Sequence, residues 1–118
     1  MLTMHYHRGD VVLVLFPNSN LRTAKRRPAV IVQADRLGTE LAQTIVAMIT
    51  SNMARAGRPS RVIVSATGEN ASSLGLLMDS VILTDNLATV HYSEIDRVIG
   101  SFPTMNEIDD ALRATLAL

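Results

Sequence analysis

Residues 25–33 read KRRPAVIVQ, so three cations stand directly before a run of residues typical of a buried β-strand. Pro28 can occupy the first position of such a strand, where proline is tolerated. Arg27 precedes this proline, which restricts its backbone to extended conformations. A charge against buried apolar residues costs desolvation free energy unless an anion meets it. The stretch therefore predicts a strand over residues 28–33, and the cations at its entrance either bind an anion or form a solvated loop that pairs with the acidic C-terminal half of the chain.

Other apolar runs, separated by turn residues, predict further short strands on both sides of this one. These strands cover residues 11–16, 44–51, 61–66, 80–84, 87–92 and 98–102. We expect a tight turn at Asp85-Asn86 and polar loops over residues 17–27, 52–60 and 67–73. An amphipathic helix is predicted over residues 104–117, where Thr104 and Glu107 have the spacing of a capping box.

Five to seven short strands and one C-terminal helix predict a mainly β protein, built as a small bent sheet or a partly open barrel. Nothing resembles an interdomain linker, so we expect one domain over residues 1–118. Hydrophobic residues make up 47% of the chain and charged residues 19%, which excludes a disordered protein. The absence of cysteine excludes a disulfide framework and thiolate metal sites. With no apolar signal region or membrane-spanning run, a cytoplasmic protein is expected.

The first three predicted strands are almost continuously apolar, which indicates that both of their faces are buried. Either the C-terminal helix covers the second face, or a second copy of the chain does. The pattern alone favours a homodimer, because exposed apolar area of this extent is unusual in a monomer.

The net charge is zero, but the charges are unevenly distributed along the chain. Residues 1–61 carry nine Arg and Lys against three Asp and Glu, whereas residues 62–118 carry two against eight. Folding either mixes the two halves or leaves a basic face that attracts a polyanion. Two of the predicted loops, residues 17–27 and 52–60, are basic. Their candidate phosphate contacts are Arg22, Lys25, Arg26, Arg27, Arg55 and Arg58.

Thr50, Ser51 and Asn52 end the third predicted strand where it meets the second basic loop. Three small hydrogen-bonding side chains in a row suit an oxygen-rich ligand, and the same residue types also end strands in ordinary turns. Asp85 is either a turn former or, if burial raises its pKa, a general base. Near the N-terminus, His5 and His7 would lie on one strand face, but they lack a third ligand, so we expect no metal site.

Five motifs follow one another in an order and spacing that resembles the MazF/PemK-type toxins of bacterial toxin–antitoxin systems. They are RGDVV at 8–12, KRRPAVIV at 25–32, IVAMITSN at 45–52, GLLMDSVILTD at 75–85 and IDRVIG at 95–100. The resemblance covers nearly the whole chain. It implies a homodimeric SH3-like barrel that acts as an endoribonuclease on single-stranded RNA, commonly mRNA, and needs neither metal nor cofactor. It further implies a cognate antitoxin that holds the toxin inactive.

The same resemblance assigns roles to individual residues. Arg27 contacts the scissile phosphate and serves as the acid, and Thr50 supplies a hydroxyl at the phosphate site. Asp85 aligns with an acid of the PemK-like branch. The implied reaction is attack by the 2′-hydroxyl of the RNA, which leaves a 2′,3′-cyclic phosphate.

The chain also departs from the family pattern. The first basic loop reads PNSNLRTAKRRP over residues 17–28 and lacks the Gly, His and Glu that many relatives carry there. Leu83 stands where the PemK-like branch has a basic residue. Two candidates for proton transfer are thus absent, and the general base is unassigned. The rival hypotheses are a non-enzymatic toxin that binds a topoisomerase, as CcdB does, and an inactive SH3-like interaction module.

Overall fold

A six-stranded antiparallel β-sheet forms the framework of the protein, as described by a computed structural model over residues 6–68 and 71–118. The strands are β1 (Asp10–Pro17), β2 (Ala24–Ile31), β3 (Gln43–Thr50), β4 (Arg61–Val64), β5 (Ser80–His91) and β6 (Ile95–Ser101). The helices are α1 (Ala71–Leu74) and α2 (Asn106–Leu116), with 3₁₀ turns at Met53–Arg55 and Tyr92–Glu94. The prediction of a mainly β protein with a C-terminal helix is confirmed.

The sheet curls, but within the described residues its hydrogen bonds do not close it into a barrel. Its strand order is β4-β5-β3-β2-β1-β6, so β4 and β6 are the two edges within the described residues. Strands β1 and β5 are not neighbours in this order, yet they contact each other and share a buried cluster. The accumulated twist of adjacent strands produces such a curl. A closed SH3-like barrel is therefore not confirmed.

Both faces of the sheet are buried within one chain. On one face Val11 and Val30 belong to a cluster with Ile108 of α2, and on the other Val12 belongs to a cluster with Leu83 of β5. Successive strand residues point to opposite faces, which explains why neighbouring valines enter different clusters. The helices and the curl of the sheet cover most of the apolar strand residues, although Leu15 of β1 stays 38% exposed. Burial within one chain accounts for most of their hydropathy, so the expected homodimer rests mainly on the family resemblance.

The segment that carries the three cations lies inside the β1–β2 hairpin. β2 starts at Ala24, four residues before the predicted start, and Arg27 pairs with Val14 of β1. The ladder between β2 and β3 begins only at Ala29. Pro28 has no N–H to donate, which explains why the pairing stops beside it. The ends of β2 and β3 separate from this point and leave space between them.

β5 continues through the position at which the sequence predicts a tight turn. Leu83 and Leu87 pair with consecutive residues of β3, so residues 84–86 bulge out of the ladder. The prediction of a turn at Asp85-Asn86 is wrong, because both halves of β5 pair with the same strand and the polar residues are accommodated as a bulge.

The helical segments also differ from prediction. The N-cap of α2 is Met105, and no side chain caps it, so the predicted capping box of Thr104 and Glu107 is wrong. The first turn instead holds Asp109, whose carboxylate lies 2.6 Å from Nη2 of Arg8. Residues 71–73 of the predicted loop 67–73 belong to α1, and residues 69 and 70 lie outside the described part. Among the described residues, no helix is long and apolar enough to span a membrane.

Candidate functional site

An open cleft of about 530 Å³ lies where the ends of β2 and β3 separate. The segment 75–78 after α1 and part of β6 complete it. The lining residues are Leu13, Lys25, Arg26, Arg27, Pro28, Ile49, Thr50, Ser51, Gly75, Leu76, Leu77, Met78, Ser80, Arg97 and Ile99. Four of these residues are cations and none is an acid, so the cleft presents positive charge beside apolar surface.

Arg27 is half-buried in this cleft, and one of its N–H groups is already engaged. Its Nη2 donates to Oδ1 of Asn18, in the β1–β2 loop, at 3.0 Å. A guanidinium carries five N–H donors in one rigid plane, so this bond orients the group and leaves other donors for a ligand. No carboxylate of the described residues pairs with it. Arg27 is therefore an oriented cation without a counterion in the described part of the chain.

Thr50 ends β3 and lines the same cleft. Extending the β2–β3 register two residues beyond the pair of Ala29 and Met48 sets Thr50 opposite Arg27. Oγ1 of Thr50 accepts from the backbone N–H of Asn52 at 3.1 Å. That bond occupies a lone pair and leaves the hydroxyl proton for a ligand oxygen. The structure thus brings the two residues of the predicted phosphate site to one cleft.

The charges of the two halves of the chain mix only in part. Arg8 and Arg61, from the basic half, pair with Asp109 and Asp85 of the acidic half at 2.6 and 3.1 Å. None of the cations of residues 25–27 forms an ion pair within the described residues. The basic character of this segment survives folding, which favours a polyanion as the ligand of the cleft.

The other predicted RNA contacts divide into two groups. Lys25, Arg26 and Ser51 line the cleft. Arg22, Asn52, Arg55 and Arg58 do not line it. Oδ1 of Asn52 instead accepts from the N–H of Ala54 at 3.1 Å and caps the 3₁₀ turn Met53–Arg55. The roles of all these residues in RNA binding remain predictions.

Asp85 lies outside the cleft lining, in the β5 bulge, where Arg61 holds it. Its carboxylate accepts from Nη2 and Nε of Arg61 at 3.1 and 3.4 Å, and Nη1 of Arg61 donates to the carbonyl of Arg55 at 2.8 Å. The hydrogen bond from Arg61 is the main cause that lowers the pKa of Asp85. A lower pKa makes a carboxylate a weaker base. The contacts favour a role in tying the second basic loop to β5, and the catalytic role of Asp85 stays a prediction.

Replacing Asp85 with asparagine is expected to lower the free energy of unfolding at neutral pH by about 0.5 kcal/mol, a small value because the ion pair is partly exposed to solvent. The pKa of Asp85 is lower in the folded state than in the unfolded state. The carboxylate therefore stabilises the fold above the unfolded-state pKa of about 4, and this contribution disappears as the pH falls through the folded-state pKa. Urea unfolding of wild type and Asp85→Asn, from neutral pH to below the unfolded-state pKa of about 4, measures the difference.

The matched control for this experiment is Asp110→Asn, since Asp110 pairs with Arg113 on the exposed surface of α2. That substitution should leave the free energy of unfolding nearly unchanged. A difference between wild type and Asp85→Asn that persists at acidic pH contradicts the assigned role of the Arg61 pair. Unchanged stability combined with lost catalytic activity restores Asp85 as a catalytic candidate.

The sequence did not single out as site residues Arg97 and the segment 75–78, which line the cleft, or Asn18, which contacts Arg27. Gly75 has a φ of +69°, and a side chain there would collide with the carbonyl oxygen of Ile99. Glycine thus allows the end of α1 to approach β6 closely and brings the segment 75–78 to the cleft. The glycine before a run of apolar residues was the available signal for this approach. Arg97 lies in the motif IDRVIG, which marks the family but assigns the residue no role, and Asn18 carried no local signal.

Of the two N-terminal histidines, His5 lies outside the described residues. His7 lies beside Asp10, whose Oδ2 accepts from the backbone N–H of His7 at 2.9 Å. Across residues 6–68 and 71–118, no three His, Asp or Glu side chains form a group that could hold a metal ion.

Known proteins are similar to this chain in sequence over nearly its whole length. The sequence-family model of PemK-like, MazF-like toxins of type II toxin–antitoxin systems matches residues 7–116. The chain is 36% identical over 107 residues to endoribonuclease MazF6 of Mycobacterium tuberculosis (strain ATCC 25618 / H37Rv). The aligned region covers 88% of this chain and 90% of that protein. The chain is also 31% identical over 115 residues to endoribonuclease EndoA of Bacillus subtilis (strain 168), which covers 94% of each.

Solved structures show the same fold. An endoribonuclease in complex with its cognate antitoxin from mycobacterial species matches with a TM-score of 0.73 at 22% identity, covering 97% of each chain. MazF of Deinococcus radiodurans matches with a TM-score of 0.72 at 20% identity, covering 98% of this chain and 100% of that one. Because the family model spans nearly all of the sequence, the chain belongs to the PemK-like, MazF-like toxins of type II toxin–antitoxin systems.

Proposed function

We propose that this chain is a sequence-selective endoribonuclease that cleaves single-stranded RNA, such as mRNA, without a metal ion. The observation that carries the proposal is that Arg27 and Thr50 line the same positively charged cleft. The guanidinium of Arg27 is oriented there, and the hydroxyl proton of Thr50 is available to a ligand. The relatives named as endoribonucleases support RNA as the substrate. An open groove with cations and apolar side chains suits an unpaired strand, whose phosphates and bases need different surroundings.

RNA carries its own nucleophile, the 2′-hydroxyl next to each phosphate. We infer that this oxygen bonds to the neighbouring phosphorus while the bond from phosphorus to the 5′-oxygen breaks, leaving a 2′,3′-cyclic phosphate and a 5′-hydroxyl. Negative charge grows on the non-bridging oxygens during this step. Hydrogen bonds from Arg27 and Thr50 stabilise that charge electrostatically. The leaving 5′-oxygen takes a proton, for which Arg27 is the predicted donor.

The 2′-hydroxyl must also lose a proton, and among the described residues the cleft lining contains no carboxylate or imidazole to accept it. Asp85, the predicted candidate, is engaged with Arg61. We propose that water accepts the proton. Cleavage should then be slow, since a positioned base contributes about 10²–10⁴-fold to a rate.

We propose that the toxin acts in the cytoplasm as a homodimer and is neutralised by a cognate antitoxin. An acidic, partly disordered segment of the antitoxin fits the cleft by charge, because it would meet four cations there. The related mycobacterial endoribonuclease is in complex with its cognate antitoxin. We also propose that the curled sheet is an open variant of the SH3-like barrel, in one domain over residues 1–118.

Incubating the purified protein with a mixed single-stranded RNA in EDTA tests the proposed activity. We expect fragments that end in a 2′,3′-cyclic phosphate, with a recurring sequence at the mapped cut sites. The Arg27→Ala protein, purified in the same way, controls for contaminating ribonuclease. Intact RNA together with stalled DNA gyrase indicates a topoisomerase binder like CcdB. Intact RNA without an effect on gyrase indicates an inactive SH3-like module.

A further inference from the structure

The β1–β2 loop holds a directed series of hydrogen bonds that ends on Arg27. We propose that Asn18 is the positioning residue of this guanidinium, an inference that rests on the proposed role of Arg27 in RNA cleavage. Oδ1 of Asn18 accepts from Nη2 of Arg27 at 3.0 Å, and Nδ2 of Asn18 donates to Oγ1 of Thr23 at 2.8 Å. Both ends of the amide are engaged, and its oxygen faces the guanidinium.

Thr23 determines which way the amide of Asn18 points. Oγ1 of Thr23 donates its proton to Oδ1 of Asn20 at 3.3 Å, so it presents only lone pairs to Asn18. Oδ1 of Asn20 also accepts from the backbone N–H groups of Arg22 and Thr23 at 2.9 and 3.2 Å. A reversed amide would turn its NH₂ group toward the guanidinium, donor against donor. One orientation of Asn18 is therefore selected.

The backbone of the loop holds the same residues in place. The N–H of Asn18 donates to the carbonyl of Thr23, and the N–H of Leu21 donates to the carbonyl of Asn18, both at 2.9 Å. Leu21 has a φ of +59°, a left-handed conformation that costs a non-glycine residue free energy and that the surrounding bonds maintain. The tight turn thus places Asn18 and Thr23 within reach of each other, on the side from which Arg27 approaches.

An arginine at an open cleft loses rotamer freedom when it binds a phosphate. The bond from Asn18 restricts the guanidinium before RNA arrives, which reduces that loss and aligns the remaining donors. Asn18 is neutral, so the bond leaves the charge of Arg27 and its long-range attraction for RNA unchanged. The rate of the chemical step should therefore depend on Asn18 more strongly than the affinity for RNA does.

Cleavage kinetics of a fixed single-stranded RNA by paired variants test this inference. Asn18→Ala is expected to lower kcat about 10-fold or more while changing KM less than about 3-fold. Thr23→Val removes the acceptor that orients the amide, so kcat should fall about 3–10-fold. The matched variant Thr23→Ser keeps the hydroxyl and should cleave at nearly the wild-type rate. Melting temperatures close to that of wild type show that each variant is folded.

Combining Asn18→Ala with Arg27→Ala separates positioning from other effects. If Asn18 acts through Arg27, the double variant cleaves no more slowly than Arg27→Ala alone. A full additional loss in the double variant, or a loss confined to KM, overturns the inference. Wild-type kcat in Asn18→Ala beside an inactive Arg27→Ala also overturns it and leaves the proposed function standing. A fully active Arg27→Ala variant overturns both this inference and the proposed role of Arg27 in RNA cleavage. If Asn18→Ala does not fold, equal rates for Thr23→Val and Thr23→Ser overturn the inference.

Discussion

Replacing Arg27 with alanine is expected to lower kcat for cleavage of single-stranded RNA by about 10²–10³-fold, the usual loss when one oriented oxyanion donor is removed. The effect should be large because the guanidinium is held by Asn18 and lines a cleft that has no acid among its described lining residues. Its hydrogen bonds to the phosphate strengthen as negative charge grows in the transition state. Single-turnover cleavage of an end-labelled RNA in EDTA measures the change.

Arg27→Lys is the matched control for charge. The ammonium keeps the attraction for phosphate but lacks the planar fork. We expect KM near that of wild type and kcat lowered about 10²-fold. Equal kcat values for Arg27→Lys and wild type would show that charge alone is needed. A wild-type kcat for Arg27→Ala would remove Arg27 from the mechanism.

Replacing Thr50 with valine is expected to lower kcat by about 10–10²-fold, which corresponds to losing one hydrogen bond to a charged oxygen of about 1.5–3 kcal/mol. Valine has nearly the shape of threonine, so the end of β3 should stay packed while the hydroxyl is lost. KM should change much less, because the bond strengthens with the charge that develops on the phosphate. The same single-turnover assay gives the effect.

Thr50→Ser is the control that keeps the hydroxyl, and its kcat should be near that of wild type. The valine variant also deprives the N–H of Asn52 of its acceptor, so thermal unfolding is measured on both proteins. Equal losses of kcat in Thr50→Ser and Thr50→Val would assign the effect to packing. A wild-type kcat in Thr50→Val would exclude the hydroxyl from the reaction.

The most apolar strands were predicted closely from consecutive residues. The predicted strand 11–16 lies within β1 (Asp10–Pro17), and the predicted strand 44–51 differs from β3 (Gln43–Thr50) by one residue at each end. Most of their residues are buried, on both faces of the sheet, and a strand buried on both faces appears in the sequence as a continuous apolar run. Local sequence suffices where one property, hydropathy, decides the conformation.

The errors occur where a distant partner decides the structure. Asp85-Asn86 is typical of a turn, yet residues on both sides pair with β3 and make it a bulge. The start of α2 involves Arg8, which donates to Asp109 across 101 positions of sequence. No local pattern reports a hydrogen bond over that separation.

The candidate site was predicted in part for the same reason. Arg27 and Thr50 stand out because each belongs to a recognisable strand end, and the cleft holds both. Asn18 was missed, since its role follows from the turn that brings its amide to Arg27. Arg97 was missed because it reaches the cleft from β6, on the far side of β1 from β2.

By itself, the sequence determined the mainly β architecture, the closing helix and the family, because hydropathy, the Arg-Pro pair and the motif order are properties of neighbouring residues. Only the tertiary structure decided which cations stay unpaired and which side chain orients Arg27. Arg8 and Arg61 find acids from the other half of the chain, whereas residues 25–27 find none among the described residues. Such pairings depend on how the sheet curls and where its strands separate, and those distances arise only when remote segments pack together.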